Sequence, residues 1–186
     1  MDWINPFTAI QLLFINLAND SLPAIALGME KAEPNVMSRK PRDINEGIFA
    51  GGTLTAVITR GLLIGIAVII SQYIGLQHSP EMSVAMAFTT LILARTLQTF
   101  AARSSQQTIF QVGFLSNKYV IGAVLLCFVL YGITLLPGVR GIFSIPATFG
   151  WNEFLIAGGL ALGSVLLMEV IKFIRVSMRK DDQATS

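Results

Sequence analysis

The sequence predicts an all-α fold, a polytopic membrane helix bundle of about five transmembrane helices. Three observations lead there. Of 186 residues, 53% are hydrophobic and only 13% charged, where a soluble domain carries roughly a quarter charged residues. The mean hydropathy is +0.66, and the apolar residues fall into blocks long enough to cross a bilayer, about 20 residues each. The basic residues, finally, concentrate in alternate connecting segments.

The spans are expected at 7–28, 49–75, 82–102, 119–136 and 152–174, with no soluble domain between them. The first is interrupted by Asn16, Asn19, Asp20 and Pro23 within "INLANDSLPAIALG". The second opens weakly at "GGTLTAVITR" but continues as "GLLIGIAVIISQYIGL", ample to span. The third carries Arg95. The fourth, "YVIGAVLLCFVLYGITLL", is the cleanest apolar run and stops at Pro137-Gly138. The fifth ends in the basic tail "RVSMRKDDQATS". Gly61/Gly65 and Gly159/Gly163 are small-residue pairs of the kind that lets membrane helices approach closely.

Orientation follows from charge. Lys31, Arg39, Lys40 and Arg42 follow the first span, Arg103 and Lys118 the third, and Arg175, Arg179 and Lys180 the last, whereas the other connections hold only Arg140. The positive-inside rule places segments 29–48 and 103–118 and the C-terminus in the cytoplasm. Met1 then lies outside and the chain enters a span at once. That start is expected of the C-terminal part of a longer protein. The lone Cys127 excludes a disulfide within the chain and reads as a small apolar core residue. A net charge of +2 offers nucleic acid no footprint.

Chemistry concentrates in the first span. A carboxylate at bilayer depth is costly and marks function or a buried partner. On an α-helix, positions 16, 19 and 20 share one face. Their amide and carboxylate oxygens suit a hard cation. Pro23 removes a backbone donor and crowds the carbonyl of Asn19, loosening the turn, as in midplane ion sites. The same residues also fit a second reading, with Asn16 and Asn19 as interhelical glue and Asp20 paired with a buried base. Elsewhere Gln11 is expected to bond within its own span, Arg60 to support packing or snorkel, Glu169 and Lys172 to form an i, i+3 pair, and His78 to be solvated.

The segment 6–49 resembles the P-type cation-transporting ATPases, specifically the calcium-pump branch. The resemblance rests on Asn16-Leu17, Asp20 and Pro23-Ala24, followed by Pro34, Met37, Arg39, Pro41-Arg42 and Glu46-Gly47-Ile48-Phe49. It implies that the chain matches the last five membrane helices of such a pump, that Asn16 and Asp20 are calcium ligands, and that Asp20 is the central one. Asn19 departs from the Thr usual there, keeping an oxygen ligand in a bulkier group. Two-site pumps carry a glutamate ligand in the span matching the third. Here an apolar residue near Ile92 takes that place, with Arg95 one turn on and no acidic residue from Val84 to Ala102.

Arg95 either snorkels toward the cytoplasmic surface or pairs with Asp20 and blocks a second ion. A unit charge about 4 Å from a divalent ion, at an effective dielectric near ~20, repels it by about 8 kcal/mol. The expectation is therefore an ATP-driven calcium pump region carrying one ion per cycle. Another cation (sodium, manganese or protons) or a free-standing membrane module are the alternatives. The Asp at the position of Asn16 in sodium/potassium relatives argues against sodium. No Asp-Lys-Thr-Gly phosphorylation sequence and no nucleotide loop occur in these residues. The resemblance assigns ATP and magnesium, with the phosphorylation, nucleotide and actuator domains, to a portion outside this chain; the basic cluster Arg39-Lys40-Arg42 faces either those domains, which the resemblance favours, or the anionic lipid of the bilayer.

Overall fold

The computed structural model describes residues 5–30, 47, 53–104, 109–113 and 116–184. Among them every regular element is helical: α1 (Ala9–Phe14), a π-helical segment (Ile15–Asp20), α2 (Ser21–Gly28), α3 (Thr53–Leu76), α4 (Pro80–Ala102), α5 (Ile109–Val112), α6 (Lys118–Thr134) and α7 (Trp151–Ala184). The first three follow one another without a break as the 20-residue span Ala9–Gly28. The cluster Arg39-Lys40-Arg42 lies outside the described residues.

Each boundary has a local cause. Thr8 caps α1 through its side-chain oxygen, while the Gln11 side chain returns to the Thr8 backbone, a reciprocal capping box. Ser79 caps α4, with Pro80 in the first turn where its missing N–H is no loss. Asn117 Oδ1 accepts from Tyr119 N and Val120 N to start α6.

Among the described residues four helices are long and apolar enough to cross a membrane: Ala9–Gly28, Thr53–Leu76, Pro80–Ala102 and Trp151–Ser177. The fourth expected span is different. Although its sequence is the most uniformly apolar, α6 has only 17 residues, about 26 Å of helix against a hydrocarbon layer of about 30 Å. It closes at Leu135, two residues before Pro137.

The centre of the bundle is α4. Of its most apolar window 78% is buried, against 17% for α3. Ala85, Ala87 and Ala94 are fully covered, and such small residues let α3 and α7 pack against it, with α6 and the π segment on other sides. At Gly75 the approach is backbone to backbone: an added Cβ would stand 2.7 Å from Ser83 Cα and 2.8 Å from Met82 O. By contrast, Gly61, Gly65, Gly159 and Gly163 have nothing within 4 Å of a built Cβ. These pairs are not helix contacts among the described residues, and Gly61 and Gly65 instead line an open groove of about 440 Å³ with Arg60, Leu91, Arg95 and Gln98.

Residues 135–150 fold back over one end of the bundle. Arg140 gathers the carbonyl oxygens of Ile145, Pro146 and Phe149. Phe143 packs on both Phe14 (centroids 5.3 Å, edge-on) and Phe88 (6.0 Å, stacked), which also touch each other. Gln11 is fully buried, and besides its cap it donates to Phe143 O at 2.7 Å. Its bonding is thus not confined to its own span, because the returning loop brings a buried carbonyl that needs a donor.

Candidate functional site: the interrupted span and the middle of α4

The polar residues of the first span coincide with the π segment. Pro23 has no N–H to donate one turn back, and its ring would crowd the carbonyl of Asn19. The helix accommodates this by widening over Ile15–Asp20. Such π turns are uncommon and tend to occur at functional positions. The Ser21 hydroxyl donates to the Asn16 carbonyl at 3.2 Å, satisfying one of the displaced backbone groups.

Asn16 is exposed, Asn19 is 3% exposed and Asp20 is half-buried, so the three differ in how deeply the rest of the bundle covers them. Asn19 and Asp20 both turn toward α4, onto consecutive residues. Thr96 donates its hydroxyl to Asn19 Oδ1 at 2.8 Å. Arg95 places Nη2 3.1 Å from Asp20 Oδ2. Asn19 Nδ2 is buried without a partner among the described residues.

Of the two sequence readings of Arg95, the structure has the pairing: the side chain reaches the first span. The pair is not sealed. The Arg95 and Asp20 side chains are 40% and 33% exposed, and Arg95 also stands in the groove that holds Arg60 and Gln98. Cys127 of α6 is buried beside the same turn, its thiol 3.9 Å from the Ala18 carbonyl. No three His, Cys, Asp or Glu side chains gather into a metal-binding group among the described residues. Asp20 is the one carboxylate here, and it is already neutralised by a cation belonging to the protein.

Other expected positions are structural. Glu169 and Lys172 pair at 3.3 Å, Lys172 also donates to Ala101 O, and Glu169 accepts from Ile109 N at the start of α5. His78 is exposed, with Nδ1 3.4 Å from Ile74 O. Thr96 was not legible as a partner, since a lone threonine in an apolar helix ordinarily bonds its own backbone, as Thr89 does with Ala85 O.

Residues 4–174 match the family described as cation transporting ATPase, C-terminus. The chain belongs to that family. Among curated relatives of this ATPase C-terminal region, a calcium-transporting ATPase of Listeria monocytogenes is 81% identical over 94% of the chain. Calcium-transporting ATPase 1 of Lactococcus lactis is 65% identical over 93%, and a calcium-transporting ATPase of Bacillus subtilis 38% identical over 87%. The chain spans only 20%, 20% and 18% of those proteins' lengths. Fold, helix composition and family agree on an integral membrane protein of the cation-transporting ATPases.

Proposed function

We propose that this chain forms part of the cation path of an ATP-driven calcium pump and that the pump carries one calcium ion per cycle. Asp20 is the central ligand. Asn16, exposed on the same widened turn, is the second. Asn19 joins when its amide turns over, so that Nδ2 donates to Thr96 Oγ1 and Oδ1 faces the ion, which would also pair the amide now buried alone. Calcium takes six to eight oxygens, so the remainder come from carbonyls freed at the π segment and from the rest of the pump.

The single observation that carries the reading is the pairing of Asp20 with Arg95 at a widened turn of a membrane-length helix. A carboxylate there has a guanidinium as its counter-charge, and it exchanges that partner when a divalent cation arrives. Arg95 meanwhile supplies positive charge where a second ion would need a carboxylate. The names of the relatives favour calcium over sodium, manganese or protons.

The complete pump would add the phosphorylation, nucleotide and actuator domains, with ATP and magnesium bound there. Segments 29–48 and 103–118 and the C-terminus would lie in the cytoplasm, by their basic residues, and the plasma membrane is the site proposed. The test is Asp20→Asn in the complete pump. Calcium-dependent phosphorylation by ATP is expected to be abolished with the protein still present in the membrane. Near-normal calcium activation would show that Asp20 serves packing alone.

A further inference from the structure

The end of the first span is fastened by one buried arginine that the cation reading does not use. Arg103 follows α4 and its side chain is 1% exposed. Its Nε donates to Glu30 Oε2 and its Nη2 to Glu30 Oε1, both at 2.8 Å. Nη1 donates to the Gly113 carbonyl at 2.8 Å, and Nη2 also reaches the Ser116 hydroxyl. Glu30 Oε2 accepts a further bond from Asn117 Nδ2 at 2.7 Å, the same asparagine whose Oδ1 caps α6. One guanidinium thus joins the α2 end of the first span, the end of α4 and the approach to α6.

The chemistry is specific to arginine. A two-pronged carboxylate contact together with a carbonyl contact needs a planar fork of several donors, which an ammonium does not offer. A charge buried this deeply is not released without leaving a large desolvation cost uncompensated. The opposite end of the span is fastened too, by buried Gln11 to Phe143 O. Between these two fixed points lies one stretch with irregular backbone bonding, the π segment that ends at Asp20.

We infer that Arg103 is a positioning residue for cation binding: by clamping Glu30 it fixes the register of the first span, so that a cation at Asp20 reshapes the π segment instead of sliding the helix. The inference rests on Asp20 being a cation ligand. Its physical content is that binding free energy is concentrated in one turn, with Asp20 held at the height of Arg95. Releasing the Glu30 end lets the whole of α2 slip, and the ligand geometry loosens with no change in any ligand.

The experiment uses the complete polypeptide containing this chain, with calcium as the probe. Calcium dependence of phosphorylation by ATP is measured for Arg103→Lys, Glu30→Gln and the double variant, alongside Asp20→Asn. Thermal stability without calcium is recorded for each. Arg103→Lys is expected to raise the half-maximal calcium concentration several-fold, with maximal phosphoenzyme unchanged. The double variant should be no worse than the poorer single variant, since both remove one interaction.

An unchanged half-maximal concentration in Arg103→Lys, with Asp20→Asn inactive, would overturn the positioning role and leave the calcium reading standing. A change that merely follows lost thermal stability would also overturn it. Calcium activation surviving in Asp20→Asn would overturn both. Should Arg103→Lys fail to accumulate, Ser116→Ala removes one Arg103 contact while keeping the ion pair and the α6 cap. A smaller shift in the same direction is expected there, and no shift would count against the clamp.

Discussion

Arg95 Nη2 lies 3.1 Å from Asp20 Oδ2, joining the middle of α4 to the last residue of the π segment. One residue on along α4 and one residue back along the π segment, Thr96 holds Asn19 Oδ1 at 2.8 Å. These neighbouring contacts fix how the interrupted turn faces α4, one by charge and one by a neutral hydrogen bond. Both partners on the first span are candidate cation ligands, and α4 holds them through Arg95 and Thr96 without contributing a carboxylate.

The neutral contact can be separated from the charged one. Thr96→Ala leaves Asn19 buried with neither amide group paired, and an unsatisfied buried polar group costs about 1–3 kcal/mol. A loss of thermal stability of that size is expected, with Thr96→Ser restoring it because the hydroxyl returns. Full stability in Thr96→Ala would mean that Asn19 finds another partner.

Close packing of α3 on α4 is equally testable. An alanine methyl at position 75 would meet Ser83 Cα and the Met82 backbone, and backbone cannot rotate aside. Gly75→Ala is expected to destabilise by about 1–3 kcal/mol through overpacking. Gly159→Ala, with open space around it, is expected to be neutral or slightly stabilising through helix propensity. Thermal unfolding in detergent compares the two, and equal behaviour would contradict the packing.

The Glu30 clamp sets a pH dependence. Hydrogen bonds from Arg103, opposed by desolvation and aided by Asn117, hold the Glu30 carboxyl below the ordinary glutamate range. A carboxyl depressed in the folded state contributes stability above its unfolded value, and loses it as pH falls through the folded one. Stability should therefore decline on acidification below the usual carboxylate range. Glu30→Gln should be less stable near neutrality and flatter in acid. A Glu30→Gln profile parallel to the unaltered protein would contradict the assignment.

The sequence carried the helices more readily than their meetings. Apolar block length located the four helices of spanning length among the described residues and overrated α6, whose 17 residues fall short. Pro23 signalled a loosened turn, because its missing donor is local. The form of that turn was not legible: whether a helix kinks, or widens to a π segment, depends on what packs against it. α-Helical counting puts Asn16, Asn19 and Asp20 on one face, and only the packing shows Asn19 buried against Thr96 while Asn16 is exposed. Arg95 had two available outlets, the bilayer surface and Asp20, and only tertiary placement chose between them. Arg103 read as a topology signal among other basic residues, although its side chain is almost wholly buried. Nothing in the spacing of Glu30, Arg103 and Asn117 announces that they meet.

The most direct test counts calcium. Arg95 occupies Asp20 from the α4 side and no carboxylate lies from Val84 to Ala102, so a second divalent ion would face a positive charge without compensating oxygens. Calcium bound per phosphorylation site is to be measured on the complete pump by radioactive calcium binding at saturation, with the Hill coefficient of calcium activation alongside. One calcium per site and a coefficient close to one are the expected result. Two calcium ions per site, or clearly cooperative activation, would contradict the single-ion path.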